Sequence, residues 1–390
     1  MASKAQQKGW KKVFFGDVVR NVKDNVDPQT CSLERYIAGE HMQSEDIHLR
    51  QWGIIGDDYL GPAFHRKFTK GQVLYGSRRT YLKKVALADF DGITANTTFV
   101  LEPQDNSLLT DLLPFIMLTD KFTEHSVRES KGSVNPYINW KDIAKYEFPL
   151  PPKDEQRRIA DVLWSADEAN EYYITVKDDL NQLIDSVTTS FLSKSWSRKT
   201  LDSLLYDIQY GTSNRISEKT EESVPVLRIP NVIGGKLDLS DLGWIVLRNE
   251  EKKKYKLDEG DLLIVRTNGN PEYVGRTAVV KRCPKDTVYA SYLIRLKCDS
   301  KLLHPEYLHA VLQSSLIKKT LRHEIRSSAG NYNLNTQGIK RQNIPLPPVE
   351  IQESFVDSLL TYQIKSEEIQ KHIEKLKNLK ATLINELLLQ

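Results

Sequence analysis

The stretch Phe148-Pro149-Leu150-Pro151-Pro152-Lys153-Asp154-Glu155-Gln156 returns 196 residues later as Ile344-Pro345-Leu346-Pro347-Pro348-Val349-Glu350-Ile351-Gln352. The correspondence continues on both sides: Ile159 answers Phe355, Leu163 answers Leu359, Ile143 answers Ile339 and Asn135 answers Asn331. Farther upstream it is fainter, and the offset shrinks to 189 for Lys70–Leu74 against Glu259–Leu263, and to 186 for Trp10 against Trp196. A growing offset means that the second copy carries insertions. The chain is therefore two copies of one unit, each a globular part followed by a helical tail. The boundaries that follow are 1–150 and 198–343 for the globular parts, with 151–197 and 344–390 for the tails.

The proline pairs stop the preceding strand, because proline neither donates to a ladder nor continues a helix inward. An acidic first turn follows in each copy (Asp154, Glu155; Glu350, Glu353), which suits the positive end of a helix dipole. In the first tail Ile159, Val162, Ala166, Ala169, Tyr173, Val176, Leu180, Leu183 and Val187 alternate three-and-four spacing, the pattern of a coiled-coil seam. In the second, Phe355, Leu359, Tyr362, Ile369, Ile373, Leu376, Leu383 and Leu387 keep the period, with Ser366 and Lys380 as polar interruptions. A narrow apolar stripe needs a partner. Two such helices in one chain are expected to pair with each other, antiparallel about a pseudo-two-fold axis, as a rod of roughly 60 Å carrying a globular part at each end. The alternative is that each helix folds back on its own globular part.

The globular parts read as α+β. Short β-rich runs (Gly71–Gly76, Ile93–Leu101, Asp261–Arg266, Thr277–Lys281, Ala290–Lys297) are split by turn residues, and His304–Arg326 follows helical spacing.

At 390 residues, with 39% hydrophobic and 27% charged residues, the composition is that of a folded protein of more than one domain. No apolar run approaches the roughly 18 residues that span a bilayer, and the N-terminal MASKAQQKGWKK lacks the apolar stretch of a secretory signal. Three distant cysteines (Cys31, Cys283, Cys298) exclude a disulfide framework and a four-cysteine zinc site, and fit a cytoplasmic protein. The net charge of +3 is unevenly placed: residues 199–343 hold 24 basic against 17 acidic side chains, and residues 151–198 hold 6 against 9. That basic segment points mildly to nucleic acid.

Catalytic templates fail. Gly71 and Gly76 have P-loop spacing without the Lys-Ser/Thr pair, and read as turn residues around a strand. His304 and His309, five apart, match no metal-binding spacing. Asn135-Pro136-Tyr137 approximates the Asn-Pro-Pro-Tyr motif of amino-group DNA methyltransferases, but one proline and any glycine-rich cofactor turn are missing. What remains is surface suited to binding. Ser77, Arg78, Arg79 and Tyr81, with Lys83 and Lys84, follow a strand; their counterparts are Arg266, Thr267, Asn268 and Asn270, followed by Arg276. Arg can fork onto guanine and Asn onto adenine, while Lys holds phosphates. The turns Lys131–Asn135 and Ser327–Asn333, the latter with Asn331, Tyr332 and Asn333, form a third candidate pair. Tyr210, Thr212 and Asn214 add an aromatic and small hydrogen-bonding groups, and Lys252, Lys253, Lys254 and Lys256 are candidate phosphate contacts.

The doubled Pro-Leu-Pro-Pro-x-x-x-Gln opening, Trp10 and Trp196, and the runs Leu262–Gly269 and Ala290–Ile294 resemble the DNA-specificity subunit of Type I restriction–modification systems, over nearly the whole chain. The first half departs from the pattern, with Tyr75-Gly76-Ser77-Arg78 where the second has Val265-Arg266-Thr267-Asn268. The resemblance implies a non-catalytic subunit whose two target-recognition domains each read one half of a split, asymmetric double-stranded DNA sequence. It implies that the paired helices set the spacing and dock two modification subunits, which carry S-adenosylmethionine chemistry. It also implies that ATP- and magnesium-dependent restriction subunits join them, with no cofactor or metal on this chain and no membrane. Two other readings stand beside it: a coiled-coil scaffold with protein-binding end domains, and a methyltransferase with its recognition domain attached.

Overall fold

The computed structural model describes residues 9–57, 59–233, 235–328 and 330–388; the N-terminal eight residues, on which part of the leader reading rests, lie outside it. The chain forms two compact units: residues 1–174 together with 371–390, and residues 175–370.

The repeat is visible strand by strand. In the first unit an antiparallel sheet runs in the order Val19–Val22, Thr98–Pro103, Val73–Gly76, Val85–Leu87, and in the second Leu205–Tyr210, Leu293–Cys298, Leu262–Val265, Thr277–Val279. Each unit adds a second sheet with a parallel step: Arg35–Ile37 beside Gly92–Ala95, and Val224–Leu227 beside Val288–Tyr289. In each, the strand entering the globular part pairs antiparallel with the strand leaving it, Lys11–Phe14 with Glu147–Leu150 and Arg198–Thr200 with Asn343–Pro345.

Three sequence readings change in detail. The run 93–101 is two strands, Gly92–Ala95 and Thr98–Pro103, in different sheets. Ala290–Lys297 contributes the strand Leu293–Cys298, with Val288–Tyr289 separate. The helical stretch 304–326 is two helices, Pro305–Gln313 and Ser315–Glu324, because Ser314 takes an extended conformation and its hydroxyl caps the second helix. Thr119 does the same for Asp120–Arg128 in the first unit.

The long helices are Lys153–Leu192 and Val349–Leu388. A glutamine holds the first turn of each. Gln156, 1% exposed, donates through Nε2 to the carbonyls of Pro151 and Ser107 (both 2.8 Å) and accepts from the Leu109 amide at 2.9 Å. Gln352, fully buried, repeats this: Nε2 to the Pro347 (2.8 Å) and Leu302 (2.9 Å) carbonyls, and Oε1 from the His304 amide (2.9 Å). The motif glutamine thus pins the first turn of each helix to the globular part. Replacing Gln156 or Gln352 with Ala removes the partner of one half-buried backbone amide and of two carbonyls. The expected cost is about 2–4 kcal/mol, read as a lowered urea midpoint; a loss under about 1 kcal/mol would contradict this role.

Within each unit the helices run antiparallel, since contact numbers rise on one as they fall on the other. In the first unit Asp167 meets Lys380 and Tyr173 stacks on His372; in the second Lys177 meets Gln370 and Phe191 stacks on Phe355 with centroids 4.0 Å apart. The helices also serve the globular cores. Ile159 and Leu163 join Ile384 and Leu388 under the first sheet, and Phe355 and Leu359 join Leu192 under the second. Each globular part is therefore packed on the start of its own helix and on the end of the other, so pairing and folding back occur together. The first amides of Asp120–Arg128 and Ser315–Glu324 repeat this crossing: Asp120 donates to Asn385 Oδ1 (2.9 Å) and Ser315 to Asp185 Oδ1 (2.8 Å).

The seam of the first helix corrects the sequence reading. Val162 and Leu183 are 38% and 46% exposed, Ala166, Tyr173, Leu180 and Val187 are half-buried, and the buried positions between Leu163 and Leu192 are Asp167, Asn170 and Thr188. In the second helix Phe355, Leu359 and Ile373 are buried, with Tyr362, Ile369, Leu376 and Leu383 half-buried. Lys380, counted above as an interruption, is itself buried, its Nζ 2.7 Å from Asp167 Oδ1.

Asp167 also receives His48 Nε2 at 2.7 Å on its other oxygen. Beside it, Arg50 forks onto Glu171 at 2.6 and 3.0 Å. Burial pushes the Asp167 carboxyl up, but the His48 bond and the Lys380 charge outweigh it and hold it below the usual carboxylate value. The Asp167 bond raises His48, partly opposed by burial and aided by the charges of Asp167, Glu171 and Asp46. A histidine raised on folding stabilises fully below its unfolded pKa, near 6.5, and this is lost as pH rises through the folded value. Wild-type minus His48→Gln thermal stability should therefore shrink as pH rises above about 6.5. A difference that is flat or grows with pH would show that His48 is not held protonated.

Candidate nucleic-acid interface

In the second unit the strand Leu262–Val265 leaves the sheet at Arg266, whose amide donates to the Tyr292 carbonyl at 3.0 Å. The chain then pairs again: Thr267 with Asn333 and Asn268 with Tyr332, and the strand Asn331–Asn333 pairs in turn with Arg326–Ser328. Gly330, at φ +78°, makes the turn between them. The first unit does the same with fewer bonds. Arg78 and Lys131 both bridge to Tyr137, Arg79 donates its amide to the Pro136 carbonyl (2.7 Å), and Gly132 stands at φ +90°. One bond is common to both: Ile138 to the Ser77 carbonyl (2.9 Å) and Leu334 to the Arg266 carbonyl (2.8 Å). Two stretches some fifty to seventy residues apart are thus joined in the same way twice.

The Arg266 guanidinium lies 5.0 Å above the Tyr210 ring, and its Nη1 is 3.4 Å from the Ser291 carbonyl. The Tyr210 hydroxyl accepts from the Thr336 amide at 3.2 Å. Gly211 follows because a Cβ there would stand 2.3 Å from the Tyr289 carbonyl oxygen. That close approach lets the Thr212 amide donate to Tyr289 (2.9 Å) and its carbonyl accept from Ser291 (2.7 Å). Tyr210, Thr212 and Arg266 are therefore brought together, with Tyr292, 55% exposed, beside them. No sequence spacing marks Tyr292, because its exposure depends on where the chain turns back.

Other candidates fall differently. Asn268 and Asn270 spend their side-chain oxygens on the turn, accepting from the amides of Asn270 (2.8 Å) and Glu272 (3.0 Å). Arg276 packs 3.6 Å over Tyr273 and donates to the Glu272 carbonyl. Asn214 donates to Glu251 at 3.4 Å, and Asn333 to the Asn331 carbonyl at 3.3 Å. Lys252 reaches the Glu222 carbonyl and Lys256 lies 3.6 Å from Asp286, while Lys253 is exposed.

In the first unit Arg78, Arg79 and Tyr81 are exposed, Ser77 is buried with its hydroxyl on the Thr97 carbonyl (2.6 Å), and Asn135 accepts from Arg79 Nε at 3.3 Å. Lys131 is 3.3 Å from Asp142. Lys83 corrects the reading of a free phosphate contact: its Nζ is bonded to Asp120 (2.8 Å) and lies 3.3 Å from Glu45. Lys84 donates to the Gly39 carbonyl. The exposed Arg78 and Arg79 guanidinium groups and the exposed Tyr81 and Tyr292 side chains are of the types that meet phosphate oxygens and base edges. The Asn135-Pro136-Tyr137 sequence is part of the same joint, with the Tyr137 amide and carbonyl both bonded to Lys131.

The model of the Type I restriction modification DNA specificity domain matches residues 7–182 and again 196–378. The Type I restriction enzyme EcoKI specificity subunit of Escherichia coli K12 is 26% identical over 60% of this chain and 56% of its own. The chain thus spans little more than half the length of that relative. The Type I restriction enzyme MjaVIII specificity subunit of Methanocaldococcus jannaschii is 25% identical over 97% of this chain and 92% of its own. A solved chain from work on complex assembly and conformational transition of the type I R-M system shares the fold, with a TM-score of 0.55 at 19% identity over 97% of each chain. Two family matches, falling on the two copies read from the internal repeat, place this chain in the Type I restriction modification DNA specificity domain family, with two such domains in sequence.

Proposed function

We propose that the chain is the DNA-reading, non-catalytic specificity subunit of a Type I restriction–modification complex. Each unit reads one half of a bipartite, asymmetric duplex target. The carrying observation is the joint between two distant loops, built alike in both units but furnished differently: Arg78, Arg79 and Tyr81 in one, Tyr210, Arg266 and Tyr292 in the other. Equal construction gives two readers, and unequal side chains give two different half-sites. Each 40-residue helix belongs to both units, so helix length is expected to set the number of base pairs between half-sites. Exposed apolar positions on the helices, such as Tyr172, Leu360 and Ile364, suit the docking of two modification subunits. Those partners would supply the S-adenosylmethionine chemistry, and restriction subunits the ATP- and magnesium-dependent cleavage, in the cytoplasm. Among the described residues no helix is long and apolar enough to cross a membrane.

Selection from a pool of random duplexes tests this. The full chain should enrich two different short blocks separated by a fixed number of unselected base pairs. Its affinity should fall by about 10³-fold or more between 50 and 200 mM salt if six or more phosphates are neutralised. A salt-insensitive chain that enriches no sequence would favour the protein-binding scaffold, and S-adenosylmethionine binding by the isolated chain would favour the methyltransferase.

A further inference from the structure

The loop joint of the first unit carries a side chain that charge and hydrogen bonding do not explain. Val134 is 93% exposed. It lies in the turn between Lys131 and Tyr137, whose ends are tied by amide–carbonyl bonds of 2.8 and 2.9 Å, with Gly132 at φ +90°. Its neighbour Asn135 is bonded to Arg79 and Pro136 to the Arg79 amide, so Val134 adjoins the exposed arginines. In the repeat register Asn135 matches Asn331, which sets Val134 against Gly330. The first unit therefore presents an apolar group where the second presents none.

We propose that Val134 contacts the C5-methyl group of a thymine in the half-site read by the first unit. This rests on the reading of that unit as a DNA reader. The major groove offers one apolar feature, the thymine methyl, and small apolar side chains recognise it. Side chains that wedge between base pairs are the longer Phe, Leu, Ile and Met or the rigid ring of Pro. Valine's two methyls branch from Cβ and reach too little beyond the backbone for that. A tied turn also presents the side chain without ordering a loop on binding.

The test uses the full chain and the duplex it enriches from the random pool, with each thymine replaced in turn by deoxyuridine, which lacks only the methyl. Wild type should lose about fourfold in affinity at one position of one half-site, the worth of roughly one buried methylene. Val134→Gly, which copies the second unit, should bind the thymine duplex about fourfold more weakly and show no penalty for deoxyuridine there. Val134→Thr, which keeps one methyl, should retain part of the penalty. An unchanged penalty in Val134→Gly, or no methyl-sensitive position, would overturn the contact while leaving the DNA-reading function intact. If wild type enriches no sequence, the function falls and the contact falls with it.

Discussion

Replacing Asp167 with Leu is expected to destabilise the first unit by about 3–5 kcal/mol. Asp167 is 1% exposed and holds both Lys380, itself 7% exposed, and His48. Removing it leaves an ammonium group in the helix seam without its carboxylate, and the desolvation already incurred has nothing to offset it. The double variant Asp167→Leu/Lys380→Met removes both charges and keeps similar volume, so it should recover most of the loss. Urea unfolding of the single and double variants measures the coupling. A double variant as unstable as Asp167→Leu would show that the loss came from packing or from His48 rather than from Lys380, and a single variant within about 1 kcal/mol of wild type would show that Lys380 escapes to water. The pair is expected to fix register as well, since sliding the helices by one turn would strand two charges, a use of buried polar groups known from coiled coils.

Arg266→Ala is expected to relax base selection at one position of one half-site and to weaken binding of the preferred duplex by about 1–3 kcal/mol, or roughly 5- to 150-fold. The guanidinium is stacked over Tyr210 and leaned against the Ser291 carbonyl, so its fork is held in place before DNA arrives. Its Nε is buried with no partner, which leaves the outer nitrogens as the working donors. Arg266→Lys should not rescue, since a point charge neither stacks nor forks. Equal weakening on unrelated duplexes would identify a phosphate contact instead, with the salt slope lower by about one. Selection unchanged at every position would remove Arg266 from the interface.

The internal repeat was legible because it is written in residues that cannot be exchanged cheaply. Proline ends a strand, and glutamine at the fifth place after the double proline's first member meets three backbone groups in both copies. The earlier part of the second helix was legible for a similar reason, Phe355, Leu359 and Ile373 keeping a regular spacing, but toward its end the buried positions are Lys380, Ile384 and Leu388. The first helix was not. Its seam runs through Asp167, Asn170 and Thr188, and its isolated apolar residues Val162 and Leu183 face outward. Polarity misleads there because charge can be buried when its partner is supplied, and Lys380 lies 213 residues away in sequence. The binding loops show the same limit. Lys83 and Arg78 look alike in sequence, yet Lys83 is held by two carboxylates and Arg78 is exposed.

The amino-acid order by itself determined the duplication, the positions at which each long helix opens, and some strands of the central sheets, such as Val73–Gly76, Leu262–Val265 and Thr277–Val279, because these follow from local periodicity and from proline and glycine chemistry. Which globular part rests on which end of which helix, which charges are spent inside the protein, and which loop meets which were decided only by tertiary structure. Those outcomes depend on partners far apart in the chain, and a spacing pattern carries no information about where a distant partner will lie.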